Sequence, residues 1–193
     1  MNLFVLDKDP VIAAQLQCDK HVVKMIVESA QMLCTTHRML DGNMKIEERY
    51  VEGSLPARYR KIKRWTHTDK ELDSLFYKAV HMNHPCTKWT MLSACNYEWH
   101  YRHFIALCDE YQYRYNRQHS TDALLRSKLK QHPRNIPKQG LTLFPLAMKS
   151  NPECMFPDDP VKSYKLYYQT KQSRFKMTWK DRAIPEWFVT QTA

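Results

Sequence analysis

The pattern of hydrophobic and polar positions is helical along most of the chain, and it is clearest between Asp19 and Arg38. On one side of a helical projection lie apolar residues: Val22, Val23, Ile26, Val27, Ala30, Leu33 and Cys34. Spacings of three and four residues predict an amphipathic helix over 19–39 with a wide apolar face. The other side carries polar residues in line: His21, Lys24, Glu28, Gln31 and Thr35. The helix should therefore present an acid, a base and an imidazole on one stripe.

Similar patterns predict the other helices, and capping residues indicate where they begin. Asp9-Pro10 predicts a first helix, because an aspartate can accept bonds from free N–H groups and proline suits the first helical position. Pro85 and Pro160 mark two further starts in the same way. We expect helices over about 10–18, 69–81, 86–116, 120–131 and 160–172, with the 86–116 helix the longest.

Two segments interrupt this pattern, and we predict that both are insertions into a single domain. Residues 44–68 mix charged residues with turn signals, and residues 132–157 are rich in proline. Only three glycines are present in the chain, which argues against tight hairpins. We therefore predict an all-α fold for residues 1–193, a helical bundle with a long central helix and irregular proline-rich segments.

Composition adds a strong positive charge. Thirty Lys and Arg against twenty Asp and Glu give a net charge of +10 and a pI of about 9.3. So basic a domain favours a polyanionic partner, although charge alone does not separate DNA, RNA and acidic lipid. No apolar run is long enough to span a membrane, and the acidic N-terminus does not match a signal peptide. We expect a cytoplasmic protein with no membrane partner (host cytoplasm if phage-encoded), and reduced thiols, because the six cysteines form no CxxC pair.

The polar stripe supplies the first candidate for chemistry. Glu28, flanked by Lys24 and His21, has the residue types of a general base with charged and hydrogen-bonding neighbours. The alternative interpretation is an ordinary solvated helix face. Composition decides only which ligand is plausible, and it favours a nucleic acid.

Two basic and aromatic segments supply candidate nucleic-acid contacts. In the first, cations alternate with Tyr59 and Trp65: Arg58, Arg60, Lys61, Lys63 and Arg64. In the second, tyrosines and cations share a short C-terminal helix: Tyr164, Tyr167, Tyr168, Lys171 and Arg174. Charge combined with stacking surface suits a nucleic-acid backbone and unpaired bases. The alternatives are a solvated loop for the first segment and core packing for the second.

Nine histidines raise the question of a metal. His81, His84 and Cys86 lie close together in sequence, and Asn96, His100 and His103 fall on one helical stripe. None of the usual closed zinc spacings is present. We predict no metal site and no cofactor.

With the Glu28 helix and the tyrosine-rich segment both identified, the chain resembles the pyrimidine-dimer DNA glycosylases of the phage endonuclease V type. In that family a histidine lies seven residues before a catalytic glutamate, an order similar to His21-VVKMIV-Glu28. The family's C-terminal aromatic and basic run is similar to SYKLYYQTK at 163–171. Bacterial members of the superfamily have a segment like NHPCTKW at 83–89, and the resemblance covers about two thirds of the chain.

The resemblance implies a small all-α domain that acts on bases of double-stranded DNA, including modified pyrimidines. Glu28 would be catalytic with His21 and Lys24 beside it. The residues that line the base-binding cleft would be Gln31, Asn83, His84, Asn96 and His100. The basic segment at 58–64 and the aromatic C-terminus would hold the DNA backbone.

One departure changes the expected reaction. The family's glycosylase–lyases attack the sugar with the α-amine of a small residue exposed after methionine removal, whereas this chain begins Met1-Asn2. The arginine expected next is also absent, since Leu3 and Phe4 follow. A Schiff-base lyase is therefore disfavoured. Two reactions keep a role for Glu28: base excision by water, or transfer of an external amine to an activated thymidine base. The alternative class is a non-catalytic nucleic-acid-binding protein or a phage inhibitor of a host defence protein.

Overall fold

The computed structural model of the protein describes residues 1–53, 56 and 58–190. Within that part of the chain, seven α-helices and a two-stranded sheet follow one another in this order: α1 Pro10–Gln15, α2 Asp19–Asp41, β1 Gly42–Tyr50, β2 Tyr59–His67, α3 Lys70–Leu75, α4 Pro85–Leu92, α5 Ala94–Tyr115, α6 Ser120–Leu125 and α7 Pro160–Gln169. Short 3-10 helices cover Pro152–Cys154 and Thr170–Ser173. No helix of the described residues is both long and apolar enough to cross a membrane.

The prediction of an all-α fold is wrong. About 47% of the chain is helical, but about 10% lies in the antiparallel pair β1–β2, which occupies most of the predicted insertion at 44–68. The strands pair from Gly42 opposite His67 to Tyr50 opposite Tyr59. Few glycines did not prevent a hairpin, and Gly53 supplies a left-handed residue (φ 76°) in the described part of the connection.

Several predicted helix lengths are also corrected. The expected 86–116 helix is two helices, since Ser93 is extended (φ −156°, ψ 156°) and its hydroxyl accepts from the backbone N–H of Asn96. That hydroxyl also donates to the carbonyl of Gly140, which anchors the break to a distant segment. The helices α1, α3 and α6 are shorter than expected, and α2, at 23 residues, is the longest described helix.

The core forms where α2 packs against α4 and α5, while α1 also contacts α5. The apolar spacing predicted most of the buried face of α2: Val22, Ile26, Ala30 and Leu33 are completely buried. Two residues predicted on that face are not buried, since Val23 is exposed and Val27 is half-buried. The N-terminal residues 2–6 are buried as well, so the chain enters the core before its first helix. As a result, Met1 lies on the polar side of α2.

The hairpin leaves the core at a tightly packed junction. A side chain at Gly42 would overlap the backbone oxygens of Arg38 and Thr66, so only glycine fits between the end of α2 and β2. Arg38 is buried there and forms an ion pair with Asp73. Its guanidinium also donates to the carbonyls of Trp65, Asp73, Phe76 and Tyr77. One arginine thus joins helix α2, strand β2 and the segment after α3.

Candidate carboxylate site and basic hairpin

Glu28 lies in a small cavity of about 270 Å³ on the polar side of α2. Its Oε1 is 3.1 Å from Lys24 Nζ, one helical turn away, and its Oε2 is 3.3 Å from the α-amine of Met1. The second contact is not aligned as a hydrogen bond, and Oε2 is buried without a hydrogen-bond partner among the described residues. The Oε2 acceptor is therefore held beside the Met1 ammonium without an aligned hydrogen-bond donor.

The N-terminal segment forms one wall of this cavity, held in place by Asn2. The Asn2 amide donates to the carbonyl of Ala147, and its oxygen accepts from the N–H groups of Leu3 and Phe4. Phe4 adopts a left-handed conformation (φ 48°), which turns its ring onto His21 at a centroid distance of 4.7 Å. Asn2 thus has a structural reason for being at this position.

His21 lies beside Glu28 as a neutral ring. Burial, reinforced by Lys24, Lys171 and the N-terminal charge, lowers the pKa of His21 to about 3. Its Nδ1 is 2.7 Å from the hydroxyl of Tyr168, and that hydroxyl accepts from the N–H of Cys18. The Tyr168 hydroxyl oxygen has a second lone pair, so it can donate to Nδ1 or accept from it, and it fits either tautomer of the His21 ring. With so low a pKa, His21 is a poor proton acceptor at neutral pH.

The C-terminal segment closes the opposite wall with Tyr167, Lys171, Arg174 and Phe175. Lys171 is buried, and its Nζ lies 3.4 Å from the centroid of the Tyr167 ring. Arg174 is exposed. The structure thus brings together six of the predicted residues, from segments about 140 residues apart: His21, Lys24, Glu28, Tyr167, Lys171 and Arg174.

The other residues predicted to line the cleft lie elsewhere. Asn96 and His100 are completely buried between helices, where Asn96 bonds to Trp89 and Thr142 and the ring of His100 bonds to Ser29 and Thr90. Gln31 and Asn83 do not line the cavity. His84 caps α4, and its pKa is lowered mainly by burial and then by the charge of the N-terminus, so it lies near the cavity without lining it.

Two of the predicted stacking tyrosines are core residues. Tyr164 and Tyr168 have no exposed surface, and the hydroxyl of Tyr164 donates to the carbonyl of Pro145 at 2.6 Å. Neither ring can stack on an unpaired base while the protein is folded. Core packing is therefore the correct interpretation for these two, and Tyr167 is the tyrosine of the segment that lines the cavity.

The basic segment at 58–64 is divided between the two faces of the hairpin. Residues directly opposite each other share a face, so Lys45, Arg49, Arg60 and Arg64 lie on one side, with Glu47 among them. Lys61 and Lys63 lie on the other side with exposed apolar residues: Met44, Ile46, Tyr50 and Tyr59. Arg58 precedes β2. Two cross-strand ion pairs are present, Arg64–Glu47 at 3.2 Å and Lys61–Glu48 at 4.0 Å.

One cluster could hold a metal ion by composition, and sequence reasoning missed it. Ligand atoms of His37, Asp41 and His67 lie within 4.8 Å of one another at the base of the hairpin. The signal was the spacing of His37 and Asp41, one helical turn apart. However, His67 Nδ1 accepts from the N–H of Asp69, so the neutral ring carries its proton on Nε2 and has no lone pair to offer there. The geometry therefore disfavours a metal at this cluster.

A larger depression of about 690 Å³ lies between α1, α5 and the segment after α6. Its walls are mostly apolar and include Val11, Ile105 and Tyr113, and none of the predicted site residues lines it. The smaller Glu28 cavity remains the better candidate, because several cations line it and one oxygen of its carboxylate has no aligned hydrogen-bond donor.

Comparisons with known proteins add nothing to these observations. No family model, no curated protein and no solved structure matches the chain.

Proposed function

We propose that the protein is a DNA-binding enzyme that acts on a modified or damaged pyrimidine base, with Glu28 as the general base. The observation that carries the proposal is the carboxylate of Glu28, which lines a cavity together with Lys24, Lys171 and Arg174. A carboxylate whose Oε2 has no aligned hydrogen-bond donor, among cations that would attract a nucleic acid, suits a general base that takes a proton from water or an amine.

The cavity size fits a single extruded nucleotide base. At about 270 Å³ it lies just below the usual range for small-molecule sites of roughly 300–1,000 Å³. Enzymes that act on a base in duplex DNA extrude it from the stack, at a cost that is lowest for damaged or mispaired bases. The half-buried rings of Tyr167 and Phe175 would offset part of this cost by stacking.

Two reactions are consistent with this arrangement. In base excision, Glu28 would take a proton from water that attacks the glycosidic carbon; the C–N bond breaks as the C–O bond forms, and the protonated Glu28 can return its proton to the leaving base. In amine transfer, Glu28 would take a proton from an external amine that attacks the activated carbon of a thymidine-derived base; a C–N bond forms as the bond to the activating group breaks, and that group leaves with the bonding electrons. Both depend on the same carboxylate.

The decisive experiment is incubation with three duplexes, containing normal thymine, pyrimidine dimers or activated hydroxymethyluracil, followed by nucleoside mass spectrometry. An amine donor should be supplied in parallel reactions. Loss of a base identifies excision, and a gain in nucleoside mass identifies transfer. Glu28→Gln should lower turnover by about 10²- to 10⁴-fold, because it removes the proton acceptor and keeps the shape. If Glu28→Gln remains as active as wild type, the role assigned to the carboxylate is wrong.

The hairpin supports a second candidate, a nucleic-acid-binding protein without catalysis. Its basic face is separate from the cavity in sequence and would bind a polyanion whether or not Glu28 reacts. Full DNA affinity with no altered nucleoside in any duplex would favour this alternative. A partner protein would instead give binding that depends little on salt, whereas DNA affinity falls steeply with salt.

A further inference from the structure

Lys171 is the most unusual charged residue of the Glu28 cavity. Its side chain is 5% exposed, yet no carboxylate among the described residues lies within ion-pair distance of its Nζ. The only described contact of the ammonium is with the face of the Tyr167 ring, at 3.4 Å. A buried ammonium normally has a hydrogen-bonded anionic partner, because desolvation of an unpaired charge is costly.

Lys162, on the first turn of α7, shows what is different about Lys171. Its Nζ also lies over an aromatic ring, that of Phe156, at 4.0 Å. Lys162, however, is exposed, so water solvates its charge. The two lysines make the same type of cation–π contact, but only Lys171 makes it inside a cavity, where the contact replaces a small part of the lost hydration.

The other charged groups around Lys171 do not compensate it. Three cationic side chains, Lys24, Lys171 and Arg174, face the cavity with the α-amine of Met1, whereas Glu28 is the one carboxylate among the lining residues. That carboxylate is already paired with Lys24 and the α-amine. The cavity lining therefore carries more positive than negative charge, and the Lys171 ammonium has no carboxylate partner among the described residues.

We infer that Lys171, together with Arg174, binds a phosphate group in the Glu28 cavity. An ammonium acts as a point charge toward phosphate, and an exposed guanidinium can add two parallel hydrogen bonds. The site deepens the proposed function, on which it rests for the choice of a nucleotide as ligand. The phosphate would belong to the nucleotide whose base enters the cavity, which would hold the base against Glu28 and the ring of His21.

The test is calorimetric titration of wild type, Lys171→Gln and Lys162→Gln with three probes: thymidine, thymidine 5′-monophosphate and inorganic phosphate. Wild type and Lys162→Gln should bind the monophosphate at least about 10-fold more tightly than thymidine, as expected for a charge-assisted hydrogen bond. In Lys171→Gln this preference should disappear. Binding of inorganic phosphate alone would identify a free-phosphate site, and binding of the nucleotide alone a nucleotide site.

Two further variants keep the result clear. Arg174 is exposed, so Arg174→Gln should fold normally and reduce the preference for the monophosphate several-fold; it serves if Lys171→Gln does not fold. Glu28→Gln should keep the preference, which separates failure of the phosphate site from failure of the catalytic proposal. Equal affinity of wild type for thymidine and its monophosphate, or equal losses in Lys171→Gln and Lys162→Gln, would overturn the inference.

Discussion

The Glu28 cavity and the β-hairpin are both rich in charged residues, but the charges are held in opposite ways. In the cavity, a half-buried carboxylate and a buried lysine are fixed by segments distant in sequence, and His21 is neutral between them. On the hairpin, seven Lys and Arg and three Glu lie along 42–67, most of them exposed, with two cross-strand ion pairs. The same residue types therefore favour selective chemistry in one region and a general attraction for polyanions in the other.

This difference follows from the solvent around each charge. In water, two charges attract weakly and salt screens them, whereas desolvated charges interact strongly and are costly without partners. Changes in the buried region should consequently alter stability by several kcal/mol. Changes on the hairpin should alter salt-dependent binding and leave stability almost unchanged.

The largest expected effect is acid destabilisation of the core. Burial lowers the pKa of His21 and His103 to about 3 and that of His37 to about 4. Below pH 6.5 these histidines become protonated in the unfolded chain but stay neutral in the folded protein. The free energy of unfolding therefore decreases as pH falls from 6.5 toward these values. At pH 5 each ring should cost about 2 kcal/mol, or about 6 kcal/mol together. Urea denaturation at pH 7.5 and pH 5 measures this, and equal midpoints would contradict it.

Helix α2 shows how much of the buried region the sequence predicts. Most of its apolar face, its beginning at Asp19 and its end near Gly42 were predicted from spacing and turn residues, whereas Val23, predicted on that face, is exposed. The burial of each polar residue was not predicted, because His21 and Gln31 lie on the same stripe of the helix but different segments pack over them. Burial of His21 depends on Phe4, which lies outside the helical pattern, and on Tyr168, which is distant along the chain.

The hairpin and the break at Ser93 were missed for physical reasons. In β1, Met44, Ile46 and Tyr50 alternate with polar residues, but Glu48 and the cations of β2 interrupt the pattern. Both faces of the ribbon are largely exposed, so no apolar face marks the strands as half-buried. The break between α4 and α5 depends on Ser93 bonding to Gly140 and on Ala94 bonding to Pro137. Partners more than 40 residues away leave no local signal in the sequence.

The next largest effect should come from Arg38, matched against Arg64. Both arginines form an ion pair, but Arg38 is buried with Asp73, while the Arg64–Glu47 pair is more exposed. Arg38→Met should lower the free energy of unfolding by about 3–5 kcal/mol, because Asp73 loses its ion-pair partner and several carbonyls lose their hydrogen-bond donor. Arg64→Met should cost less than about 1 kcal/mol. Chemical denaturation measures both, and similar losses would show that the junction is not desolvated as described.

A smaller effect should follow removal of the Tyr168 hydroxyl. Tyr168→Phe leaves the N–H of Cys18 and the Nδ1 of His21 without their partner, at a cost of about 1–3 kcal/mol. The matched control is Tyr113→Phe, since the exposed hydroxyl of Tyr113 bonds only to the carbonyl of Asp181. That control should change stability by less than about 0.5 kcal/mol. Thermal denaturation of the two variants tests the pair, and equal shifts would argue against the buried role of Tyr168.

The smallest effect on stability, and the clearest on binding, should come from the basic face of the hairpin. The two-stranded ribbon is about 30 Å long and of a width that the major groove of DNA admits. Replacement of Lys45, Arg49, Arg60 and Arg64 by Gln removes four cations from one face. If all four contact phosphates, the slope of log affinity against log salt should become shallower by about 3.6.

A control of equal charge distinguishes contact from general attraction. Four exposed lysines outside the hairpin can be replaced by Gln in the same way: Lys70, Lys88, Lys138 and Lys149. This variant has the same net charge as the hairpin variant, so a diffuse electrostatic effect would change both slopes equally. A change confined to the hairpin variant would mean that the ribbon itself lies on the DNA. In that case Glu28→Gln should leave the salt slope at its wild-type value, because the carboxylate would act on the base and the hairpin would hold the backbone.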